Sequence, residues 1–290
     1  MLSARRTPWL AMAVCLLSAL PCAAQEPLPP HEQHPWAKFP IGSWKTVRVI
    51  GETLDVRGDV TNITTTETRS TLIEVSDDTY TLRVDVSVEV AGKRFPTQTQ
   101  VVKHGYWGES EQQRATMERI GEAQLQLNGK SLNVEQLQFR FDEDGRKVLS
   151  TVYYSPQVPP YQLRRETVSE HETDAKSFRT IVEVVALELP HNVLGEIKST
   201  TVVKTVKKHS RGTSVTVEMH CDDVPGGVVS HAAAEHDSQG EVTRRSTLQI
   251  VDYSIGVGRV EEPASVIRRR KYHRTRRRGE DMYRIAPPQR

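Results

Sequence analysis

The chain reads as an all-β protein, mainly antiparallel, folded as a curved open barrel or half-barrel sheet with two related β units. Three observations predict this: a hydrophobic period of two along most of the chain, turn residues between the periodic segments, and strand-like echoes in a fixed order. The clearest periodic segment is Tyr80–Val90, in which apolar and polar residues alternate throughout. Successive strand side chains point to opposite faces, so this pattern buries one face and wets the other. Such alternation favours antiparallel pairing, because parallel strands are covered on both faces and read as continuous apolar runs.

At the N-terminus, Arg5 and Arg6 precede an apolar run from Trp9 to Leu20, and Pro21 ends that run before Cys22-Ala23-Ala24. This is the three-part layout of a signal peptide, residues 1–24, cleaved near Ala24. The run of about a dozen residues falls short of the roughly 20 that span a bilayer. The expected location is therefore secreted or periplasmic, with no transmembrane segment in the mature chain. Residues 25–41 hold five prolines and no period. They predict an extended lead-in with His31 and His34 exposed.

The folded body is expected to begin at Gly42-Ser43-Trp44. Strands are predicted at 44–52, 63–75, 80–90, 123–128, 132–141, 147–154, 178–188, 197–207, 213–221 and 244–253. Asp77-Asp78, Asn128-Gly129, Asp144-Gly145, Arg211-Gly212 and Gln239-Gly240 supply turns between them. The polar stretch 110–122 reads as a short helix or a loop.

The echoes pair Thr71–Val75 with Thr180–Val184, and Gly129-Lys130-Ser131 with Gly195 and Lys198-Ser199. They also pair Thr151-Val152 leading to Val158-Pro159 with Thr216-Val217 leading to Val224-Pro225. On this reading, residues 42–170 form a first β unit with an insertion around 76–122. Residues 171–260 form a second, and 261–290 a basic tail.

A formal charge of +2 hides an asymmetry. Residues 264–290 carry ten basic and two acidic side chains, whereas 25–263 carry 27 basic and 35 acidic ones. Arg268, Arg269, Arg270, Lys271, Arg274, Arg276, Arg277 and Arg278 crowd eight cations into eleven positions. Such a run binds polyanions by releasing their counterions. Export argues against nucleic acid and favours an anionic envelope polymer, an acidic lipid or an acidic protein surface.

Only Cys221 remains after signal cleavage, so the body has no internal disulfide and depends on packing and strand pairing. Cys221 sits in the densest patch of reactive side chains: Glu218, His220, Cys221, Asp222, Asp223, His231, Glu235, His236 and Asp237. The ligand types suit a transition metal, but the spacing matches no metal motif. In a strand, His220 and Cys221 face opposite ways unless a bulge intervenes. Asp222 and Asp223 would raise the Cys221 pKa, which argues against a nucleophile. No Gly-x-Ser-x-Gly elbow or phosphate-binding glycine loop occurs. Glu52, Asp55, Glu67, Glu74, Asp85, Glu89, Glu183 and Glu188 read as a charged outer surface rather than a glycosidase pair. No cofactor is expected, and the chain reads as a non-enzyme.

The run Val224–His231 (VPGGVVSH), then Glu235, Asp237, Gly240 and Arg244–Tyr253, resembles a pattern in uncharacterised exported bacterial β-sheet proteins. The strand-rich, duplicated layout is also similar to the open half-barrels of periplasmic lipoprotein carriers. No carrier motif transfers residue by residue, and the basic tail is foreign to that family. The layout alone licenses no function, and the expectation is an exported, non-enzymatic binding protein of the cell envelope. Its concave apolar face, fed by Leu82, Val84, Val86, Val88, Val215 and Val217, would either pack closed or hold an apolar, lipid-like ligand. A structural protein whose tail binds anionic partners is the alternative, and a hydrolase with an unrecognised carboxylate pair the third.

Overall fold

A computed structural model of the protein describes residues 31–108, 116–143, 146–170 and 177–256. Fourteen strands alternate along these segments, joined by turns and short loops. They are β1 (Trp44–Leu54), β2 (Val60–Val75), β3 (Thr79–Val90), β4 (Lys93–Arg94), β5 (Gln98–Gly105), β6 (Thr116–Leu127) and β7 (Lys130–Glu143). The rest are β8 (Arg146–Tyr154), β9 (Gln162–Glu170), β10 (Phe178–Val193), β11 (Glu196–His209), β12 (Gly212–His220), β13 (Val228–Asp237) and β14 (Val242–Ser254). A 3₁₀ turn at His31–Gln33 precedes them.

All fourteen belong to one antiparallel sheet, ordered β4-β3-β2-β1-β14-β13-β12-β11-β10-β9-β8-β7-β6, with β5 also pairing β3. Four strands escape the sequence pattern, among them β4, which is only two residues long. β5 and β9 put charged or polar side chains on both faces, and β13 is built on Ala232-Ala233-Ala234. The stretch read as helix or loop supplies the first half of β6 instead. Its residues 116–122 pair with β7, and the register shifts between Arg119 and Gly121.

Directly paired residues project from the same face of an antiparallel sheet. One row therefore runs Leu137, Val152, Arg165, Val182, Thr205, Thr216, Ala233, Ser246, Gly51, Thr64 and Val90 across eleven strands. This face also holds Leu72 and Leu82, against which Trp36 packs, and it is called the inner face below. Val84, Val86 and Val88 lie on it, as expected. Val215 and Val217 do not: Val217 pairs through Ala232, Thr247, Ile50 and Thr65 to Glu89, on the outer face. β12 turns Ser214, Thr216, Glu218 and His220 inward, so the inner face is polar at its centre.

The sheet curls about this face. Trp107, just past β5 at one edge, packs against Leu137 and Phe139 of β7 and Val152 and Tyr154 of β8, beside the opposite edge. The ring centroids of Trp107 and Phe139 are 4.5 Å apart. Arg165 fixes the approach by donating from Nη1 to the Trp107 carbonyl at 2.7 Å and from Nε to Ser150 Oγ at 2.7 Å. The tip of the β6–β7 hairpin also folds over, so that Leu127 and Val134 pack with Val184 of β10 and Val203 of β11.

The pairings of β6–β9 recur in β10–β13 at an offset of 66 residues, except in the first half of β6, where register shifts in β10 reduce it to 65. In both, a two-residue turn at positive φ joins the first strand to the second, Asn128-Gly129 in one and Leu194-Gly195 in the other. The β8–β9 pairing Tyr153↔Arg164, then Tyr154↔Gln162 across a bulge, recurs as Met219↔Ser230, then His220↔Val228. The loops between follow suit. Ser155 N donates to Tyr161 O and Tyr161 N to Val158 O, as Cys221 N does to Gly227 O and Gly227 N to Val224 O. Tyr161 and Gly227 hold φ of 68° and 72°. The echo between 71–75 and 180–184 falls outside this offset.

The lead-in departs from its expected extended form. Residues 31–43 pack into the curled end of the inner face rather than trailing from it. Trp36 is buried among Leu72, Leu82 and Phe39, and Pro35 O accepts a 2.8 Å hydrogen bond from Gly226 N. Lys38 pairs with Asp222, and Tyr154 Oη donates to Gln33 Oε1. Two glycines make the socket. A Cβ on Gly226, at φ +72°, would lie 2.5 Å from the Trp36 ring. One on Gly227, with the same φ, would sit 3.4 Å from His220 Nδ1. Both Gly→Ala substitutions strain the backbone, but only the first also collides with the tryptophan. Gly226→Ala should therefore lose about 1–3 kcal/mol and clearly exceed Gly227→Ala in urea unfolding; equal losses would rule out a tight Trp36 seat.

Candidate functional site

Where the lead-in crosses the two matched loops it leaves a cavity of about 230 Å³. Its walls combine Tyr106 and Trp107 after β5, Tyr154 and Tyr161 around the first loop, and Val182 and Val203 on the inner face. Gln33, His34, His220, Cys221 and Asp222 supply the polar rim. An aromatic wall with a few convergent polar groups is the usual composition of a small-ligand site. The volume lies just under the roughly 300–1,000 Å³ of typical ligand pockets, so it suits one apolar group rather than a whole lipid.

His34 is the least expected member. It is 7% exposed instead of solvated. Its ring lies 5.0 Å from Tyr106 at 21° and 4.5 Å from Tyr80. Nδ1 accepts backbone hydrogen bonds from Trp36 at 3.2 Å and Ala37 at 3.1 Å. Those two donors place the ring proton on Nε2 and make the ring a structural knot for the lead-in. Burial, with His104 and Lys38 nearby, pushes its pKa down to about 4.

The reactive patch around Cys221 is split by the fold. His220 and Cys221 both line the cavity, which alternation within one strand would forbid, because β12 ends at His220 and Cys221 already belongs to the loop that follows. Cys221 is 1% exposed, and burial raises its thiol pKa, with Asp223 and Asp222 adding to the effect. Asp222 pairs with Lys38, and Asp223 lies 3.5 Å from Lys198. Glu235, His236 and Asp237 sit at the far end of β13. Among the described residues, no three His, Cys, Asp or Glu side chains converge as a metal site.

A second polar group lies deeper on the inner face. Glu218 is paired with His231 across β12 and β13, and its Oε2 is 3.0 Å from His220 Nε2. Burial alone would raise the Glu218 pKa, but His220, His231 and Lys45 outweigh it and hold the carboxyl below its ordinary value. Burial pulls Lys45 down to about 8 against the pull of Glu218. Lys45 Nζ donates to Val228 O at 3.0 Å and lies 5.7 Å from the Trp36 ring centroid. These groups satisfy one another beneath the lead-in. The eight basic residues from Arg268 to Arg278 lie outside the described residues.

The chain matches no known family profile, and no curated protein matches it. Two solved structures are similar at low level. One is a Bacteroides fragilis protein inferred to be exported, with a YMCC-like fold; it is 12% identical, with TM-score 0.31, over 74% of this chain and 98% of its own. The other is a Parabacteroides distasonis protein inferred to be a lipoprotein, 10% identical, with TM-score 0.28, over 74% and 97%. No described helix is long and apolar enough to cross a membrane.

His34 ties the lead-in to acid stability. An imidazole whose folded pKa lies below its unfolded value binds fewer protons when folded, so acid favours unfolding. Its stabilising share is intact above about pH 6.5, falls as pH drops and is gone near pH 4, at an upper bound of about 3 kcal/mol. His34→Asn keeps an acceptor for the two backbone donors but cannot titrate. Urea midpoints between pH 7 and 4 should fall less steeply in that variant, and parallel slopes would show that His34 does not carry the dependence.

Proposed function

We propose that this chain is an exported, non-enzymatic binding protein of the cell envelope that holds an apolar ligand group between its lead-in and its two matched loops. The observation that carries this reading is the 230 Å³ cavity itself, walled by Tyr106, Trp107, Tyr154, Tyr161, Val182 and Val203. A well-packed interior leaves few voids larger than a water molecule. Apolar cavities of about 150 Å³ already take up a benzene-sized molecule. The nearest titratable groups support binding over catalysis. His34 Nδ1 is committed to two backbone donors, and Cys221 is held towards its protonated form.

The signal-like N-terminus supports export, and the 66-residue correspondence of β6–β9 with β10–β13 supports an internal duplication. Duplication explains why two similar loops meet at one end of the sheet. Each brings a Val-Pro pair, and the second replaces Pro160-Tyr161 with Gly226-Gly227, where Trp36 seats.

Decanol is a suitable uncharged probe. Calorimetry should detect its binding to the wild-type protein and at least about a tenfold loss of affinity in Val182→Trp, whose indole would fill the cavity. Wild-type protein that gives no heat with decanol, or a variant that binds it equally well, would sink the cavity reading.

A second reading rests on the charge of 264–290. Its eight clustered cations support docking to an anionic envelope polymer or acidic surface, with the sheet held nearby. Retention on a heparin column should fall steeply with salt and vanish when 264–290 is removed. Retention unchanged by the deletion would assign it to the body instead.

A further inference from the structure

We infer that the ligand is a single-chain amphiphile with an anionic carboxylate head, lying along β10–β12 with its tail in the cavity and its head at the opposite end of the same strands. The inference rests on the cavity reading above and adds the head group and the orientation. It starts from register. Val182 and Val203 line the cavity. On the same strands and face, Phe178 and Lys207 line a second, open groove of about 660 Å³ at the other end of the sheet. Between them lies the row Val182, Thr205, Thr216 and Ala233 on β10–β13, whose side chains are short and uncharged; its next member, Arg165 on β9, is held by Ser150 and the Trp107 carbonyl. Val203 and Lys207 are four residues apart, about 13 Å along a strand. That separation matches a medium-length acyl chain rather than a bulky lipid.

The groove is chemically unlike the cavity. Lys207, Arg211 and His209 contribute donors on one side, and Ser214 and Thr243 contribute hydroxyls. Neither Lys207 nor Arg211 has a carboxylate partner among the described residues; the Lys207 ammonium instead sits 5.0 Å from the Phe178 ring centroid. His209 Nδ1 accepts from Arg211 N at 3.2 Å, which leaves Nε2 to donate outward. The groove's two acids are engaged elsewhere. Glu235 lies 3.8 Å from Arg244, and Asp237 Oδ1 accepts the backbone N–H groups of Gln239 and Glu241. With Arg244 counted beside the lining, three cations face two carboxylates, a surplus of one positive charge that stands at the end of an apolar-to-hydroxyl track. A carboxylate complements the Lys207 and Arg211 charges, and an acyl chain complements the valines and aromatic rings.

Calorimetry with decanoate and decanol, which share a chain and differ in head group, tests this. Wild-type protein should bind decanoate at least about tenfold more tightly than decanol at low salt, and 0.5 M salt should erase most of that difference. Lys207→Gln with Arg211→Gln should lower decanoate affinity to that of decanol and leave decanol unchanged. These exposed substitutions leave the core intact, which thermal unfolding verifies. Equal wild-type affinity for the two probes, or a decanoate preference that survives the double substitution, overturns the anionic head while the cavity stands. Failure of both probes to bind the wild type overturns the cavity reading with it.

Discussion

The architecture depends on how little chain connects the two edges of the sheet. β5 ends at Gly105 against β3, and β6 begins at Thr116 on the far edge. Eleven residue steps reach at most about 40 Å. Laid flat, the twelve strand spacings between β5 and β6 would part those edges by nearly 60 Å, at about 4.8 Å each. A flat sheet is therefore excluded, and the curl follows from chain length. Trp107 and Arg165 give that curl a fixed radius by tying the start of the connection to β7, β8 and β9.

Curling creates an inner face that has to be covered or left wet. The protein does both. At the loop end, Trp36, His34 and Phe39 cover it, and small mismatches among bulky aromatic side chains leave the cavity. Towards the other end the inner rows turn to threonine, serine and lysine, which tolerate water. Lys45 marks the boundary. Its burial lowers its pKa, yet the Val228 carbonyl accepts from its ammonium and the charge of Glu218 favours the protonated form. An unpaired charge there would cost several kcal/mol. The polar group beneath the lead-in thus sets where packing ends and the open track begins.

Much of this is legible in the amino-acid sequence, and the misses share a cause. Alternation found β3 because valine recurs at every inner position from Val84 to Val90. It failed for β9, where the inner row carries Arg165, Thr167 and Ser169, since an arginine that clamps a tryptophan carbonyl looks like a solvent-facing residue. It failed for β13, whose alanines carry no period and whose histidines and carboxylates drew attention as metal ligands. Val215 and Val217 misled in the opposite sense: apolar residues at alternate positions fix that a strand has two faces, not which one faces inward. The burial of His34 and Trp36 is a tertiary effect. Their seat is made by Gly226, 190 residues downstream of Trp36, and nothing local signals it. The loop echo was visible in Val158-Pro159 and Val224-Pro225, but its extension through whole strands appears only in the register.

The pairing of β1 with β14 has a temporal side. Lys45 meets Tyr253 across that ladder, so the first strand made waits for the last strand before both of its edges are bonded. Until then, β1 offers a long row of unpaired N–H and C=O groups, an invitation to wrong partners. A contact this distant in sequence also forms slowly. A chain built this way reaches its final sheet only after its C-terminal strands have arrived. That delay makes prompt delivery of the C-terminal half a requirement for avoiding aggregation.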